Sequence, residues 1–144
     1  MSEHEVGLLD TSAVILLSAL RDPSALPSRP LISAITLAEL SVGPLIASNE
    51  EERAARLAHL QQAEADFDPL PFDADAARSF GQVAASLRRA GRKTSARAYD
   101  AMIAAVAISN GMPLYTANPG DFAHIDGLTV VPVLSPDAPV QPTE

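Results

Sequence analysis

The stretch VGLLDTSAV, residues 6–14, decides where the fold begins, because it runs an apolar segment directly into an acid. Residues 6–10 predict a short buried strand, and residues 13–20 predict the helix that follows it. An ionised carboxylate beside packed Leu and Val costs free energy unless a cation or hydrogen-bond donors pair with it. Asp10 is therefore a candidate functional residue. The alternative is that it only caps the helix, since Asp is a favoured N-cap residue.

The rest of the sequence alternates short strands with helices. Strands are predicted at 31–33, 69–72, 114–116 and 128–133, and the segment 69–72 is only a brief extended piece. Helices are predicted at 34–46, 50–66, 74–90 and 96–110, with Ser95 as the cap of the last helix and Gly111 at its end. This alternation predicts an α/β fold in which helices cover both faces of a central parallel sheet.

The length of 144 residues predicts one domain, which we expect to span residues 1–134. The Pro-rich tail 135–144 is expected to be disordered. No apolar stretch is long enough to cross a membrane, and no basic start followed by an apolar run marks a signal peptide. These features, with the absence of cysteine, lead us to expect a cytoplasmic protein.

The composition restricts the kind of metal site that the chain could build. There is no cysteine, which excludes disulfides, thiol catalysis and cysteine-ligated zinc or iron–sulfur centres. The three histidines are scattered and lack the spacing of a zinc site. Any bound metal should therefore be a hard, oxygen-liganded cation, Mg²⁺ or Mn²⁺.

Four acids lie in apolar or turn sequence far apart along the chain: Asp10, Glu39, Asp100 and Asp121. Ligands of open parallel sheets bind beyond the carboxyl ends of the strands, and helices that follow strands begin at that same edge. The order of elements therefore predicts that all four carboxylates meet there. Taken singly, each has an ordinary explanation: a helix cap, a solvated helix residue, a partner of the helix dipole, or a turn residue.

A basic segment contrasts with the net charge of −8, which by itself argues against nonspecific binding of nucleic acid. It supplies half of the ten Lys and Arg residues: Arg88, Arg89, Arg92, Lys93 and Arg97. Such a ridge on an acidic protein can meet a phosphate backbone. A solvated helix end followed by a loop is the alternative.

The ordered motifs resemble the PIN-domain ribonucleases, specifically the VapC-type toxins of bacterial toxin–antitoxin pairs. The resemblance covers residues 6 to about 133 and lies in five segments: LLDTSA, SAITLAEL, DAMIAAVAI, GMPLYTANPGDF and GLTVVPV. It implies a three-layer α/β/α fold with strand order 3-2-1-4-5. It also implies a Mg²⁺- or Mn²⁺-dependent endoribonuclease that forms a homodimer, binds a cognate VapB-type antitoxin and hydrolyses RNA.

The resemblance also assigns roles to residues. The first three metal-binding and catalytic acids fall on Asp10, Glu39 and Asp100. The fourth falls on Asp121 or Asn118, and we favour Asp121 because Asn118 carries no charge. Small hydroxyl residues around such sites correspond to Thr11, Ser12 and Thr116.

The sequence can also be compared with other classes of protein. An aspartyl-phosphate hydrolase usually has a second Asp two residues after the first, where this chain has Ser12. A receiver domain needs a lysine near a late strand, and Lys93 is poorly placed for that role. A PIN-like module that binds RNA or protein without catalysis is the alternative from a different class, and the full set of acids argues against it.

Overall fold

The computed structural model describes residues 5–20 and 23–134, with only the backbone of Ala96. The predicted disordered tail lies outside the described residues. Within them the structure forms four strands and five α-helices. The strands are β1 (Val6–Leu9), β2 (Arg29–Leu31), β3 (Leu114–Thr116) and β4 (Val130–Pro132). The helices are α1 (Thr11–Leu16), α2 (Ala34–Val42), α3 (Glu50–Asp66), α4 (Ala74–Arg89) and α5 (Ala98–Ser109).

The sheet is parallel throughout, in the order β2-β1-β3-β4. The predicted order, 3-2-1-4-5, contained five strands, and the segment 69–72 was the third of them along the chain. In the structure that segment makes a single parallel bridge between Leu70 and Ser33, just after β2. The backbone N–H of Leu70 donates to the carbonyl of Ile32, and its carbonyl accepts the N–H of Ala34. Pairing goes no further because the segment after β2 enters α2 at Ala34. The fold class is as predicted, and the strand count differs in this detail.

Neighbouring residues of the central strands feed two separate cores. Leu8 and Leu114 pack in the cluster beneath α4 and α5. Leu9 and Tyr115 pack in the cluster beneath α1, α2 and α3. This follows from the alternation of side chains across a strand. Helices thus cover both faces of the sheet, which gives the predicted three layers.

The helix boundaries differ from prediction mainly where the chain tightens into 3₁₀ turns. The first two helices end early and continue as the turns Leu17–Ala19 and Gly43–Ile46, the latter with Pro44 near its start. The prediction that Ser95 caps the last helix was wrong. A 3₁₀ turn, Thr94–Arg97, precedes α5, and Arg97 takes the cap position without a side-chain cap bond. Gly111 ends α5 with a positive φ of 65°, as predicted.

The membrane prediction can be checked on helix length and hydropathy. Among the described residues, the structure contains no helix that combines the length and apolar character needed to span a bilayer.

Candidate metal centre and active site

The four predicted acids are contributed by separate elements on the carboxyl side of the sheet. Asp10 directly follows β1, and Glu39 lies inside α2. Asp100 is in the first turn of α5, and Asp121 is in the 3₁₀ turn Pro119–Phe122 that follows β3.

Asp10 is the most enclosed of the four, with 4% of its surface exposed. Its Oδ1 accepts hydrogen bonds from Ser12 Oγ at 2.7 Å and from the Ala13 backbone N–H at 2.9 Å. Its Oδ2 accepts a bond from Thr116 Oγ1 at 2.6 Å. Burial raises the pKa of Asp10 above its usual value, and these three bonds only partly oppose that rise. Asp10 is therefore the N-cap of α1, which was the alternative explanation for this residue. It is also a buried carboxylate held in one orientation.

Glu39 is oriented by the hydroxyl group of Thr11, which also lies beside the hydroxyl group of Thr36. Thr11 Oγ1 donates to Glu39 Oε1 at 2.7 Å and lies 3.2 Å from Thr36 Oγ1. Burial raises the pKa of Glu39, and the nearby charge of Asp10 adds to the rise. The sequence reasoning missed Thr36, which is fully buried. The sequence could have indicated Thr36, because it lies three residues before Glu39 and this spacing places both side chains on one helix face.

Asp100 links the group electrostatically. Its pKa is raised from 3.8 to about 6, first by burial and then by the charges of Asp121, Glu39 and Asp10. Arg97 opposes this shift. The charges of the other three acids thus all reach Asp100, as expected if the four share one site.

The turn that carries Asp121 is held by Arg97. Arg97 Nη1 donates to the backbone oxygen of Asp121 at 3.3 Å and to its Oδ1 at 3.4 Å. Asn118 begins this turn, with an exposed side chain and a backbone N–H that donates to Thr116 Oγ1 at 3.0 Å. Of the two candidates for the fourth acid position, Asp121 is the one whose charge acts on Asp10 and Asp100.

The basic segment is more engaged with the protein than the sequence suggested. Arg89 pairs with Asp126 at 2.9 Å, and Arg92 Nη1 donates to the carbonyls of Gly120 and Ala123 at 3.4 and 3.2 Å. With Arg97, three of the five predicted RNA-binding residues thus contact the chain between Gly120 and Asp126. The other two, Arg88 and Lys93, are exposed.

The donor chemistry of the site fits a hard divalent cation, because every acidic ligand candidate offers carboxylate oxygen and the chain has no Cys. Within the part of the chain that the structure describes, no three acidic or histidine side chains stand close enough together to hold a metal ion as they are placed. The site therefore brings the charges together without forming a closed coordination shell.

An open cavity of about 390 Å³ lies directly against two of the acids. Its lining comes from α2 and from the start of α5, and consists of Glu39, Ser95, Arg97, Ala98, Tyr99 and Asp100. A substrate could therefore approach the carboxylates from this side.

Comparison with known protein families identifies the arrangement. The PIN domain matches residues 8–128, a range that contains all four acids. This chain belongs to the PIN-domain family. The chain is 41% identical over 130 residues to ribonuclease VapC5 of Mycobacterium tuberculosis, covering 89% of this chain and 93% of that protein. It is 32% identical over 133 residues to ribonuclease VapC1 of Rickettsia felis, covering 90% and 98%.

Solved structures give the same family for the PIN domain. The crystal structure of VapBC-5, a toxin–antitoxin system from Mycobacterium tuberculosis, matches with a TM-score of 0.77 and 39% identity, covering 90% of this chain and 99% of that one. The structure of DNA-bound VapBC from Salmonella typhimurium matches with a TM-score of 0.69 and 29% identity, covering 88% and 96%. The predicted family is thereby confirmed, and the roles of the individual site residues remain predictions.

Proposed function

We propose that this PIN-domain protein is the toxin of a type II toxin–antitoxin pair and acts as a metal-dependent endoribonuclease that hydrolyses RNA phosphodiester bonds. The observation that carries the proposal is the placement of four acids, from four separate parts of the chain, on the carboxyl side of the sheet. The charges of three of them reach the fourth, Asp100. The likeness to VapC ribonucleases supports the reaction class.

Asp10, Glu39, Asp100 and Asp121 would hold Mg²⁺ or Mn²⁺. The bound ion would lower the pKa of a water molecule and stabilise charge on the reacting phosphate. The chain's own residues orient these ligands. Ser12 and Thr116 direct the two oxygens of Asp10, and Thr11 directs Glu39. Such outer partners fix the geometry of metal ligands.

The basic segment is proposed to contact the RNA backbone. Arg88 and Lys93 are exposed and free to meet phosphate groups. Arg89, Arg92 and Arg97 each use part of their guanidinium on the protein, and their remaining N–H groups could also reach RNA. The acidic surface elsewhere would confine RNA to this side.

A cognate VapB-type antitoxin is the proposed protein partner, and the matched VapBC complexes support this assignment. Exposed apolar side chains on α1 and around the end of α2 offer a surface for an antitoxin helix or for a second copy in a homodimer: Ile15, Val42, Leu45 and Ile46. A toxin that cleaves cellular RNA has to act in the cytoplasm, which is where we place this protein.

The decisive experiment compares the wild type with Asp10→Asn. Each is induced in cells and the new RNA 5′ ends are mapped. The purified proteins are then assayed with Mg²⁺, with Mn²⁺ and in EDTA. We expect growth arrest and discrete new ends only for the wild type, and cleavage only with metal. Cleavage by folded Asp10→Asn protein in EDTA would overturn the mechanism.

The non-catalytic alternative makes a different prediction. A PIN-like binding module without a metal site gains no stability from the metal. If the site exists, Mg²⁺ at a concentration of 100 times its Kd adds about 2.7 kcal/mol to the free energy of unfolding. A denaturation series with and without Mg²⁺ therefore separates the two functions.

A further inference from the structure

Tyr99 places an aromatic ring next to the carboxylates. It directly precedes Asp100 in the first turn of α5, and it lines the same 390 Å³ cavity as Glu39, Arg97 and Asp100. Its exposed fraction is 47%. The ring is therefore open to whatever enters this cavity.

The Tyr99 ring is exposed, whereas the large aromatic side chains of the core are buried. Aromatic residues make up 4% of the chain, which contains no Trp. Tyr115 and Phe122 are almost fully buried, and Tyr99 is the one aromatic side chain among the exposed large hydrophobic residues of the described chain. No described residue forms a hydrogen bond, ion pair or ring contact with the Tyr99 side chain. The fold thus makes no evident use of this ring.

A single exposed apolar residue needs no explanation by itself. The surroundings of Tyr99 are what point to a ligand. The cavity joins two acids of the proposed active site to a cation, Arg97, and to a ring. Its volume lies within the range of small-ligand sites, about 300–1,000 Å³. The cation can meet a phosphate and the aromatic face can stack on a base, so the cavity offers contacts for both parts of a nucleotide beside the acids.

We propose that this cavity is a nucleotide subsite for single-stranded RNA, in which one base stacks on Tyr99 and the adjacent phosphate meets Arg97. The proposal rests on the proposed ribonuclease function and names the substrate class of that same site. Unpaired bases stack on aromatic side chains, whereas bases inside a duplex cannot. Because Tyr99 adjoins Asp100, the stacked base belongs to a nucleotide next to the cleaved bond.

The subsite makes substrate structure decisive. An unpaired loop or end can present a base to Tyr99, and the same sequence held in a duplex cannot. Stacking tolerates different bases, so Tyr99 selects unpaired RNA more than it selects a particular sequence. We expect cleavage of a short single strand to fall strongly when its complement is annealed.

Three substitutions test the ring. Tyr99→Phe keeps it, Tyr99→Leu replaces it with an apolar side chain, and Tyr99→Trp enlarges it. Binding of a 12-nucleotide single-stranded RNA is measured with Mg²⁺ in the Asp10→Asn background, which is expected to leave the RNA intact. Loss of one stacked base should weaken binding by roughly tenfold in Tyr99→Leu and leave Tyr99→Phe close to the parent.

Tyr99→Trp supplies a direct reading of stacking, since it would be the only tryptophan of the chain. Its fluorescence should be quenched when the RNA binds. A second set of RNAs carries one abasic position at each place in turn. At the position that stacks on Tyr99, the losses from the abasic site and from Tyr99→Leu should not add, because both remove the same contact.

The outcomes separate this inference from the function on which it rests. A wild type that cleaves no RNA with Mg²⁺ or Mn²⁺ overturns the ribonuclease function. A wild type that cleaves RNA, with Tyr99→Leu unchanged in Kd, in KM and in the sites it cuts, overturns the subsite alone. So does a change confined to binding of an antitoxin, which would assign the ring to a protein interface. Thermal unfolding of each variant checks that the fold is intact.

Discussion

Thr116 Oγ1 donates a 2.6 Å hydrogen bond to Asp10 Oδ2, and this bond joins the ends of two neighbouring strands, β3 and β1. The same oxygen of Thr116 accepts the backbone N–H of Asn118 at 3.0 Å. One buried hydroxyl thus orients the central carboxylate and also holds the start of the turn that carries Asp121.

The first prediction follows from that hydroxyl. Thr116→Val keeps the shape but leaves one oxygen of Asp10 and the N–H of Asn118 without their partner. We expect the free energy of unfolding to fall by about 1–3 kcal/mol, since buried polar groups that lose their partners carry that cost. Urea unfolding at neutral pH in EDTA measures it. Thr116→Ser, which keeps the hydroxyl, should lose much less, and equal losses for the two variants would contradict this assignment.

The second prediction concerns pH. The pKa of Asp100 is raised from 3.8 to about 6 in the folded chain, first by burial. Between these values the folded state holds a proton that the unfolded state has released, so this group's contribution to stability falls as pH rises through the window. Asp10 and Glu39, whose pKa values are also raised, act in the same direction.

We therefore expect the metal-free protein to lose this contribution between about pH 4 and pH 6 and to gain it back on acidification. The measurement is urea unfolding in EDTA across that range, for the wild type and for Asp100→Asn. The difference between the two isolates Asp100 from the surface acids. Mg²⁺ should reverse the trend, because metal binding favours the ionised acids. A difference that does not change with pH would refute the raised pKa.

How far the sequence predicts this protein depends on whether a feature is local. Apolar runs that end at Asp10 and at Thr116 predict the two central strands and, through the rules for parallel sheets, the shared edge where the acids lie. The segment 69–72 was counted as a full strand, whereas it makes a single bridge at Leu70 because the segment that it pairs with enters α2 at Ala34.

The features that were missed depend on contacts between distant parts of the chain. Nothing local to Arg92 indicates that it donates to the carbonyl of Ala123, 31 residues further on. The early expectation of a freely exposed basic ridge therefore overlooked a second use of these side chains. The start of α5 was misplaced because Ser95 satisfies the local rule for a cap, whereas the chain forms a 3₁₀ turn there.

The third prediction concerns the hydrogen bonds that Arg92 donates to backbone carbonyls. Arg92→Met removes the donor that holds the carbonyls of Gly120 and Ala123 and so loosens the turn that carries Asp121. We expect metal affinity to fall by at most about tenfold, the low end of the loss for a direct partner of a metal ligand, because Arg92 holds the backbone on either side of Asp121 and not its carboxylate. Mg²⁺ titration monitored by thermal unfolding measures it without RNA. Arg88→Met is the matched control, an exposed arginine, and should bind Mg²⁺ as the wild type does.

The fourth prediction separates RNA contact from this structural use. Each phosphate contact made by Arg88 or Lys93 contributes about 0.7 to the slope of log K against log salt for a single strand. Neutralising both should therefore flatten the slope by about 1.4 while leaving Mg²⁺ binding unchanged. Binding is measured by fluorescence anisotropy over a range of salt. An unaltered slope would show that these two residues are simply solvated.

The last prediction tests the packing between β1, the strand that ends next to Asp10, and β3, the strand that ends at Thr116. A Cβ on Gly7 in β1 would lie 2.5 Å from Tyr115 Cε1 and 2.8 Å from its Cδ1, and Tyr115 is buried in β3 on the neighbouring strand. Gly7→Ala should displace the buried Tyr115 ring and cost about 1–3 kcal/mol, the usual range for overpacking. Because Asp10 and Thr116 end these two strands, metal binding should weaken as well.

Gly81→Ala is the matched control, with the same added methyl group. It lies in the middle of α4, and nothing stands within 4 Å of the new Cβ. The substitution should stabilise the protein by about 0.5–1 kcal/mol, because alanine loses less backbone entropy than glycine in a helix. Urea unfolding measures the change in the free energy of unfolding, which should be negative for Gly7→Ala and positive for Gly81→Ala. If Gly7→Ala were as stable as Gly81→Ala, the Tyr115 ring would not be packed tightly against Gly7.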